Sequence, residues 1–401
     1  MTRYRAAKRR VLVASSLASG ACFRGVARYA REHDWHVVSD MLYTGTFPRG
    51  WQGDGIIALA AYQPELVRHL EETGAPCVAI SVTDDYMPFP RIEGDNAEIG
   101  RMAADHLLER AHRHFAWAPF ISDRMNRERL QGFAARLAEH GCMCHSLPPA
   151  HRRIGCYWHD DWEEHRRSLA ARVQQLPRPT AVFAANDCVA AGIVDLCREL
   201  DLAVPDEVAV IGVGNDETLC ETVPVPLSSV ELDFEEMAYR ASATLDALMR
   251  GESVPNVAVV RPQGVITRIS TDQCAVSNPH VAQALSFIAE HYPDSLLSVA
   301  AVAEAAGVSR RHLERGFRSE TGGTVYDYIV RRRMQEASRL LRAHPRAKIA
   351  AIAELVGLDG AGNFFRTFRR FFGESPKVHR LGTARTDGAP VSSEESTRES
   401  A

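Results

Sequence analysis

The chain has 401 residues, of which 45% are hydrophobic and 24% charged, and its formal net charge at pH 7 is −4. That length predicts two or three domains, and the composition is typical of globular protein. No apolar run approaches the roughly 20 residues that a membrane-spanning helix needs, so we expect no membrane span.

The first residues and the cysteines indicate the compartment. Residues 1–8 are a basic tail that resembles the start of a signal peptide, but the apolar run Val11–Ala14 is too short to continue one. The nine cysteines are scattered, and only Cys142 and Cys144 are close, which is a weak metal signal. We therefore expect reduced thiols, a cytoplasmic protein, and no metal or other cofactor.

Short apolar runs alternate with helix-period segments through the first 270 residues. This alternation predicts βαβ units with parallel sheets covered on both faces. The units exceed one compact sheet, so a two-lobed α/β domain is expected over residues 9–272. The strand candidates are Arg10–Ala14, Trp35–Ser39, Gly55–Leu59, Cys77–Ser81, His114–Ala118, Ala181–Ala184 and Val208–Gly212; the helix candidates are Phe23–His33, Pro64–Thr73, Glu98–Arg110, Arg127–His140, His165–Gln175 and Asp187–Leu200.

The pattern changes after a predicted linker at residues 273–279. An all-helical domain is expected over residues 280–381, followed by a disordered tail at 382–401 that has little to bury. Residues 277–382 carry 16 Lys and Arg against 10 Asp and Glu, whereas residues 1–276 carry 29 against 37. This asymmetry favours a polyanionic partner at one end of the chain only.

One small pattern occurs twice in the helical segment. Gly307 and Gly357 each follow an alanine by four residues and precede a helix rich in arginine and phenylalanine. Glycine accepts positive φ without steric cost and so permits a tight turn between two helices. Two helix-turn-helix motifs with basic second helices predict a protein that reads two stretches of double-stranded DNA. The alternative, a plain helical hairpin with a solvated basic face, is disfavoured by the repeat.

The first copy has the features of a base reader. Ser309 is a good N-cap, and the arginines after it stand at the helix end that faces base edges. Arginine can bond guanine bidentately, which contributes about 1–3 kcal/mol of discrimination. Leu313 and Phe317 should pack inward. We therefore predict DNA contacts from Ser309, Arg310, Arg311 and Arg315.

The second copy differs at the start of its reading helix. Gly360 and Gly362 offer no side chain to a base, and glycine costs about 1 kcal/mol inside a helix. Its predicted DNA contacts, which should mainly hold phosphate or pack, are Asn363, Arg366 and Arg369, with Arg370 beside them.

Two resemblances extend this interpretation. Residues 280–380 resemble the AraC/XylS-type DNA-binding domain, and the first 270 residues resemble the periplasmic-binding-protein fold of lactose/galactose-repressor-type regulators. Joined in this order, the two domains resemble the xylose operon regulators. The resemblance implies a transcription regulator, by expectation an activator, of sugar catabolism. Its expected partners are operator DNA, xylose or a related pentose, RNA polymerase, and a second copy in a homodimer. The matching stretches include Asp95–Gly100, Arg129–Phe133, Ala185–Asp187, Val210–Val213, Leu227–Val230, Gly357-Leu358, Phe364-Phe365, Phe368–Arg370, Gly373, Ser375-Pro376 and Arg380.

The resemblance also implies a ligand site where parallel strands end, in the crevice where such sheets bind ligands. Carboxylates, amides and arginine can satisfy sugar hydroxyls there. Gly214 stands where the family usually has aspartate, so either Asp216 substitutes or the ligand differs from the family norm. The predicted ligand-binding residues are Arg129, Asp187, Asn215, Asp216 and Ser19.

Two other classes of protein are disfavoured. An enzyme is not expected, because the chain lacks a phosphate-binding loop, a nucleophile elbow and a zinc-protease motif. A thiol-based methyl acceptor is conceivable, but the cysteines lack paired basic residues that would activate one. A transport-associated sugar-binding protein has no use for a basic helical segment. A regulator responding to another sugar, or to a non-sugar ligand, stays open.

Overall fold

The computed structural model describes residues 8–15, 20–44, 46–48, 50–59, 64–81, 87–149, 162–272, 276, 278–344, 346–358 and 360–381. The chain divides into two compact units between Ala275 and Val276. The first is α/β and the second all-helical, which confirms the predicted fold class. Ser19, the tail 382–401 and nearly all of the basic tail 1–8 lie outside the described residues. In the described part of the chain, every helix is too short or too polar to span a membrane.

The described residues of the first unit form two six-stranded sheets. Its strands are β1 (Arg10–Ser15), β2 (His36–Val38), β3 (Gly55–Leu59), β4 (Cys77–Ile80), β5 (Arg91–Gly94), β6 (His114–Ala118), β7 (Cys144–Ser146), β8 (Thr180–Ala184), β9 (Val208–Gly214), β10 (Ser228–Glu231), β11 (Val257–Val260) and β12 (Gly264–Ile266). Its helices are α1 (Gly20–Glu32), α2 (Met41–Thr44), α3 (Pro64–Glu72), α4 (Asn96–Glu109), α5 (Arg124–Ala138), α6 (Trp162–Gln174), α7 (Asp187–Glu199), α8 (Glu217–Thr222) and α9 (Phe234–Met249), with a 3₁₀ turn at Ile269–Thr271.

The two sheets share one topology. Their strand orders are β11-β5-β4-β3-β1-β2 and β12-β10-β9-β8-β6-β7. All pairings are parallel except that of β10 with the short β12. In each sheet the order reverses beside the first strand, at β1 in one and at β6 in the other. That reversal is where open α/β sheets bind ligands, outside the carboxyl ends of the strands.

The central strands are apolar because both faces of each sheet are covered. Along β1, Val11 and Val13 face one buried cluster, while Leu12 and Ala14 face the other. Successive side chains of a strand point to opposite faces, so a sheet covered on both faces requires a continuous apolar run. This property made β1, β3, β4, β6, β8 and β9 predictable.

The strands that the sequence did not predict are short or polar. Glu93 on β5 is buried because it pairs with Arg91 and Arg124. Ser228 and Ser229 on β10 are buried because their hydroxyls are hydrogen-bonded. Buried polar groups that are hydrogen-bonded leave no apolar run in the sequence, so the sequences of these strands resemble those of loops.

The second unit is a chain of helices around two small cores. One is lined by buried residues of the first helix-turn-helix, including Val302, Leu313 and Phe317, and the other by Ile352, Phe364 and Phe368 of the second. The helices are α10 (Pro279–His291), α11 (Val299–Ala305), α12 (Arg310–Thr321), α13 (Val325–Ala343), α14 (Ile349–Leu355), α15 (Ala361–Phe372) and α16 (Pro376–Leu381). Helix α13 packs against α12 and also against α14, α15 and α16. It therefore joins the two motifs.

Candidate ligand site and nucleic-acid interface

Arg129 lies in the second turn of α5, which begins after β6 with Asp123 as its N-cap. The side chain is buried, and its Nε donates to Asn96 Oδ1 at 3.0 Å. The guanidinium also donates to the carbonyl of Ala185, just after β8. Arg129 is therefore a buried cation that ties α4, α5 and the end of β8 together at the crevice edge.

Two glycines bring α4 and α5 into close contact around Arg129. A Cβ added at Gly100 would lie 2.0 Å from the Arg129 carbonyl oxygen, and one at Gly132 would lie 2.0 Å from that of Ala97. Only glycine permits this approach of one helix to the other. The position of Arg129 is thus fixed by both helices.

Asp187 is the first residue of α7, and its carboxylate turns back over β9. Its Oδ1 accepts from the Ser229 hydroxyl at 2.6 Å, and its Oδ2 accepts from the Asp216 N–H at 2.9 Å. A Cβ at Gly212 would lie 2.3 Å from Asp187 Oδ1, so glycine is required beneath the carboxylate. Burial raises the pKa of Asp187, and the bonds from Ser229 and Asp216 oppose that rise.

The loop after β9 carries the other two predicted contacts. Asn215, at a φ of +54°, donates its N–H to Ser229 Oγ at 3.0 Å and its Nδ2 to Glu231 Oε1 at 3.1 Å. Its Oδ1 is buried and accepts no hydrogen bond from any described residue. Asp216 is exposed and caps α8, with Oδ1 accepting from the Leu219 N–H. Asn215 therefore offers a buried acceptor, whereas the Asp216 side chain already caps a helix.

Four of the five predicted ligand-binding residues thus lie near one another at the ends of β6, β8 and β9. The residues that link them, Asn96, Ser229 and Glu231, were not predicted as site residues. Asn96 and Ser229 fall within stretches that carried the family resemblance, which was the available signal. Residues 16–19, 60–63 and 82–86, which follow β1, β3 and β4 in the sequence, lie outside the described residues.

Burial disfavours the thiolate at three of the described cysteines, because it raises the pKa of Cys144, Cys197 and Cys220 to about 12. No group of three or more His, Cys, Asp or Glu side chains in the described ranges could hold a metal ion.

The first helix-turn-helix presents a basic stripe on α12. Ser309 Oγ accepts from the His312 N–H at 3.3 Å, which caps the helix, while Leu313 and Phe317 are buried. Arg311 and Arg315 are exposed on the opposite face. Arg310 is also exposed, but about 100° around the helix from Arg311.

Arg318 extends this stripe and was not predicted. Together with Arg311, Glu314, Arg315 and Ser319, it lines a surface depression of about 470 Å³. The signal lay in the spacing, because residues three and four apart share a helix face. Arg318 follows Arg315 by three residues, and Arg315 follows Arg311 by four.

The second helix-turn-helix repeats the scaffold without the cap. Gly360 precedes α15 at a φ of +85° and makes no side-chain cap bond. Phe364 and Phe368 are buried where Leu313 and Phe317 are in the first copy. The predicted contacts are exposed on the face away from this core, and they are Asn363, Arg366 and Arg369.

Family models match both parts of the chain. A periplasmic binding protein-like domain matches residues 104–271, and a helix-turn-helix domain matches residues 302–381. The xylose operon regulatory protein of Haemophilus influenzae is 30% identical over 334 residues, covering 82% of this chain and 85% of that protein. That of Escherichia coli is 28% identical over 371 residues, covering 89% of this chain and 92% of that protein.

Two solved structures of transcription regulators are also similar to this chain. A xylose-binding transcription activator is similar over 94% of this chain and 98% of its own, with a TM-score of 0.58 and 26% identity. A transcriptional regulator in complex with cellobiose covers 67% of this chain with a TM-score of 0.51 and 24% identity, which is a likeness in fold alone.

Proposed function

The chain belongs to the family of xylose operon regulatory proteins, and from that premise we propose a pentose-controlled transcription activator of sugar catabolism in the cytoplasm. In this proposal the sensor is residues 9–272 and the DNA-binding domain residues 280–381, the bounds predicted from the sequence. One observation carries the proposal: a single chain joins polar side chains clustered at the carboxyl ends of parallel strands to two helix-turn-helix motifs. Family membership agrees with the predicted class of regulator.

The polar groups at the strand ends suit a sugar. A sugar hydroxyl both donates and accepts, so it can bond a guanidinium, a carboxylate or an amide oxygen. Arg129 is a buried cation beside these groups, and the buried Oδ1 of Asn215 needs a hydrogen-bond donor. A ligand hydroxyl that donates to Asn215 Oδ1 satisfies an acceptor whose burial otherwise costs free energy.

A second candidate ligand is a sugar that differs from xylose at one hydroxyl. Gly214 has a φ of +125°, a backbone conformation that aspartate rarely adopts. The Asp216 Oδ1 caps α8, and this carboxylate is exposed, whereas that of Asp187 is buried. This geometry favours a ligand that lacks a bond at the family's usual carboxylate.

The described contacts suggest a route from the crevice to the end of the sensor. Asn96, at the start of α4, bonds Arg129, whereas the other end of α4 holds Thr271. His106 Nε2 and Thr271 Oγ1 are 2.7 Å apart, and Arg110 Nε donates to the Thr271 carbonyl at 2.5 Å. We infer that sugar binding moves α4 with α5 and so shifts the residues that lead to the DNA-binding domain.

This route operates only if the sugar binds one conformation of the sensor more tightly than the other. The remaining partners of the proposal are double-stranded operator DNA, a second copy of the chain in a homodimer, and RNA polymerase. Membership of the family supports the first, and the dimer and the polymerase are the predictions made from the sequence.

Thermal denaturation with added sugars tests the sensor. We expect D-xylose, L-arabinose or D-ribose, but not D-glucose, to raise the melting temperature of the full chain. Arg129→Ala should abolish that rise and leave DNA binding intact. The matched control is Arg136→Ala, further along α5, which removes an ion pair with Asp105 on α4 but lies away from the strand ends. If the pentoses raise the melting temperature of Arg129→Ala as much as that of Arg136→Ala, Arg129 is not part of the ligand site.

A further inference from the structure

Three consecutive arginines, Arg331 to Arg333, lie on α13 between the two helix-turn-helix motifs. In a DNA-binding domain such a run suggests phosphate contacts, but Arg333 is only 7% exposed. Its Nε donates to the Tyr292 carbonyl at 2.8 Å, and its Nη2 donates to the Asp294 carbonyl at 2.6 Å. The Arg332 guanidinium lies 5.2 Å from the centroid of the Tyr292 ring. Two of the three arginines therefore hold the 292–294 loop.

The 292–294 loop belongs to the first half of the domain. It connects α10 to α11, and both of these helices pack with α12. Arg333 stands next to Met334, which is in the core of the second motif. The Arg333 bonds thus fasten a loop of the first motif to the part of α13 where the second core begins.

The turn of the second motif meets the same loop. A Cβ added at Gly357 would lie 2.6 Å from the Pro293 carbonyl oxygen and 2.8 Å from that of Tyr292. The equivalent glycine of the first motif, Gly307, has nothing within 4 Å in that direction. Their φ angles are nearly equal, +73° and +71°, so both satisfy the same turn. Only Gly357 also makes a contact between the motifs.

We propose that the 292–294 loop, Arg333 and Gly357 form a latch that fixes the two reading helices relative to each other. The latch sets the number of base pairs between the two half-sites that this protein accepts. It rests on the proposed function, in which both motifs bind DNA. Arg333 and Gly357 are positioning residues here, because they act through the loop and touch no base.

The expected effect follows from DNA geometry. One added base pair moves a half-site by about 3.4 Å and rotates it by about 34°, since a turn holds about 10.5 base pairs. A rigid pair of reading helices cannot follow that movement without losing contacts. A pair joined only by α13 can bend toward the displaced half-site, so it tolerates altered spacing.

The test uses the full chain and a duplex that it selects from a random library in the presence of D-xylose. Affinities are measured for the selected spacing and for spacings one base pair longer or shorter. For the unaltered chain we expect each change to weaken binding about tenfold, because the helices lose register with one groove. For Arg333→Met the same changes should weaken binding less than about threefold. Arg333→Lys, which keeps one donor, should fall between.

A matched pair of glycine variants separates the latch from general destabilisation. Gly357→Ala and Gly307→Ala impose the same strain at positive φ, but only Gly357→Ala pushes against the Pro293 carbonyl. We expect Gly357→Ala alone to relax the spacing requirement. Variants that weaken binding equally at all three spacings would show a merely structural role and overturn the latch. An unaltered chain that selects no sequence would overturn the proposed function and the latch together.

Discussion

The two helix-turn-helix motifs share a scaffold and differ at the surface that meets DNA. Both bury two large side chains four residues apart, Leu313 and Phe317 in one and Phe364 and Phe368 in the other. Before the reading helix, however, the first motif has the cap of Ser309, whereas the second has Gly360 without a side-chain cap bond.

This difference distinguishes the buried residues that stabilise each motif from the exposed residues that are proposed to contact DNA. Burial of the apolar pair is needed in both copies, so that pair is kept. The first copy adds a stripe of arginines along one helix face, whereas the second offers Gly362 and then Asn363 at the start of its helix. We propose that the first motif reads bases and the second mainly holds phosphate.

The largest expected effect tests the shared scaffold. Phe317→Ala and Phe368→Ala should each lower the free energy of unfolding by about 3–5 kcal/mol, because each leaves a cavity at a fully buried site. Urea denaturation followed by the helical circular dichroism signal measures both. A loss below about 1 kcal/mol in one variant would show that the two cores are not equivalent.

The next effect tests the reading surfaces. Arg311→Ala should weaken binding to the selected operator by about 1–3 kcal/mol and barely alter binding to unrelated DNA, because it removes a bidentate base contact. Arg366→Ala should weaken both nearly equally and reduce the salt dependence by about one charge. Equal losses on both DNAs for Arg311→Ala would assign Arg311 to phosphate.

A smaller effect tests the cap that only the first motif has. Ser309→Ala should lower stability by about 1 kcal/mol, since the His312 N–H loses its acceptor. Ser319→Ala, on the exposed face of the same helix, is the control and should alter the melting temperature little. If the two variants have the same melting temperature, the cap does not stabilise α12.

The smallest effect concerns the second motif. A Cβ added at Gly362 would have no neighbouring atom within 4 Å, so Gly362→Ala fits without strain. It should stabilise the protein by about 0.5–1 kcal/mol through the lower entropy of the unfolded chain. Operator affinity measured by fluorescence anisotropy should stay the same. A fall in affinity would mean that the DNA approaches the backbone at this glycine.

The sequence predicted those parts of the fold whose signal is local. Strands such as β1 and β3 are continuous apolar runs, and the helix-turn-helix pattern lies within about 20 neighbouring residues. Strand β10 was missed because its serines are buried against partners far along the chain: Ser228 against Ser270, and Ser229 against Asp187. Periodicity cannot show a polar residue that another segment satisfies.

Residues of the candidate ligand site and DNA-binding surface were also hard to assign, because sequence patterns do not show contacts between distant segments. Arg129, Asp187 and Asn96 all lie in recognisable stretches, but Asn96 acts through its bond to Arg129, 33 residues away, which the sequence does not show. By charge alone, Arg333 would have counted as a DNA contact. Its burial and its two carbonyl partners show an internal role instead.

The most direct test of the account is to scramble the two half-sites of the selected operator one at a time, with D-xylose present, and measure the affinity of the full chain. We predict that scrambling one half-site weakens binding about 100-fold and the other only about tenfold, within the range for lost base contacts. Arg311→Ala should reduce that larger loss and leave the smaller one unchanged. Equal losses for the two half-sites would contradict the division into a reader and a clamp.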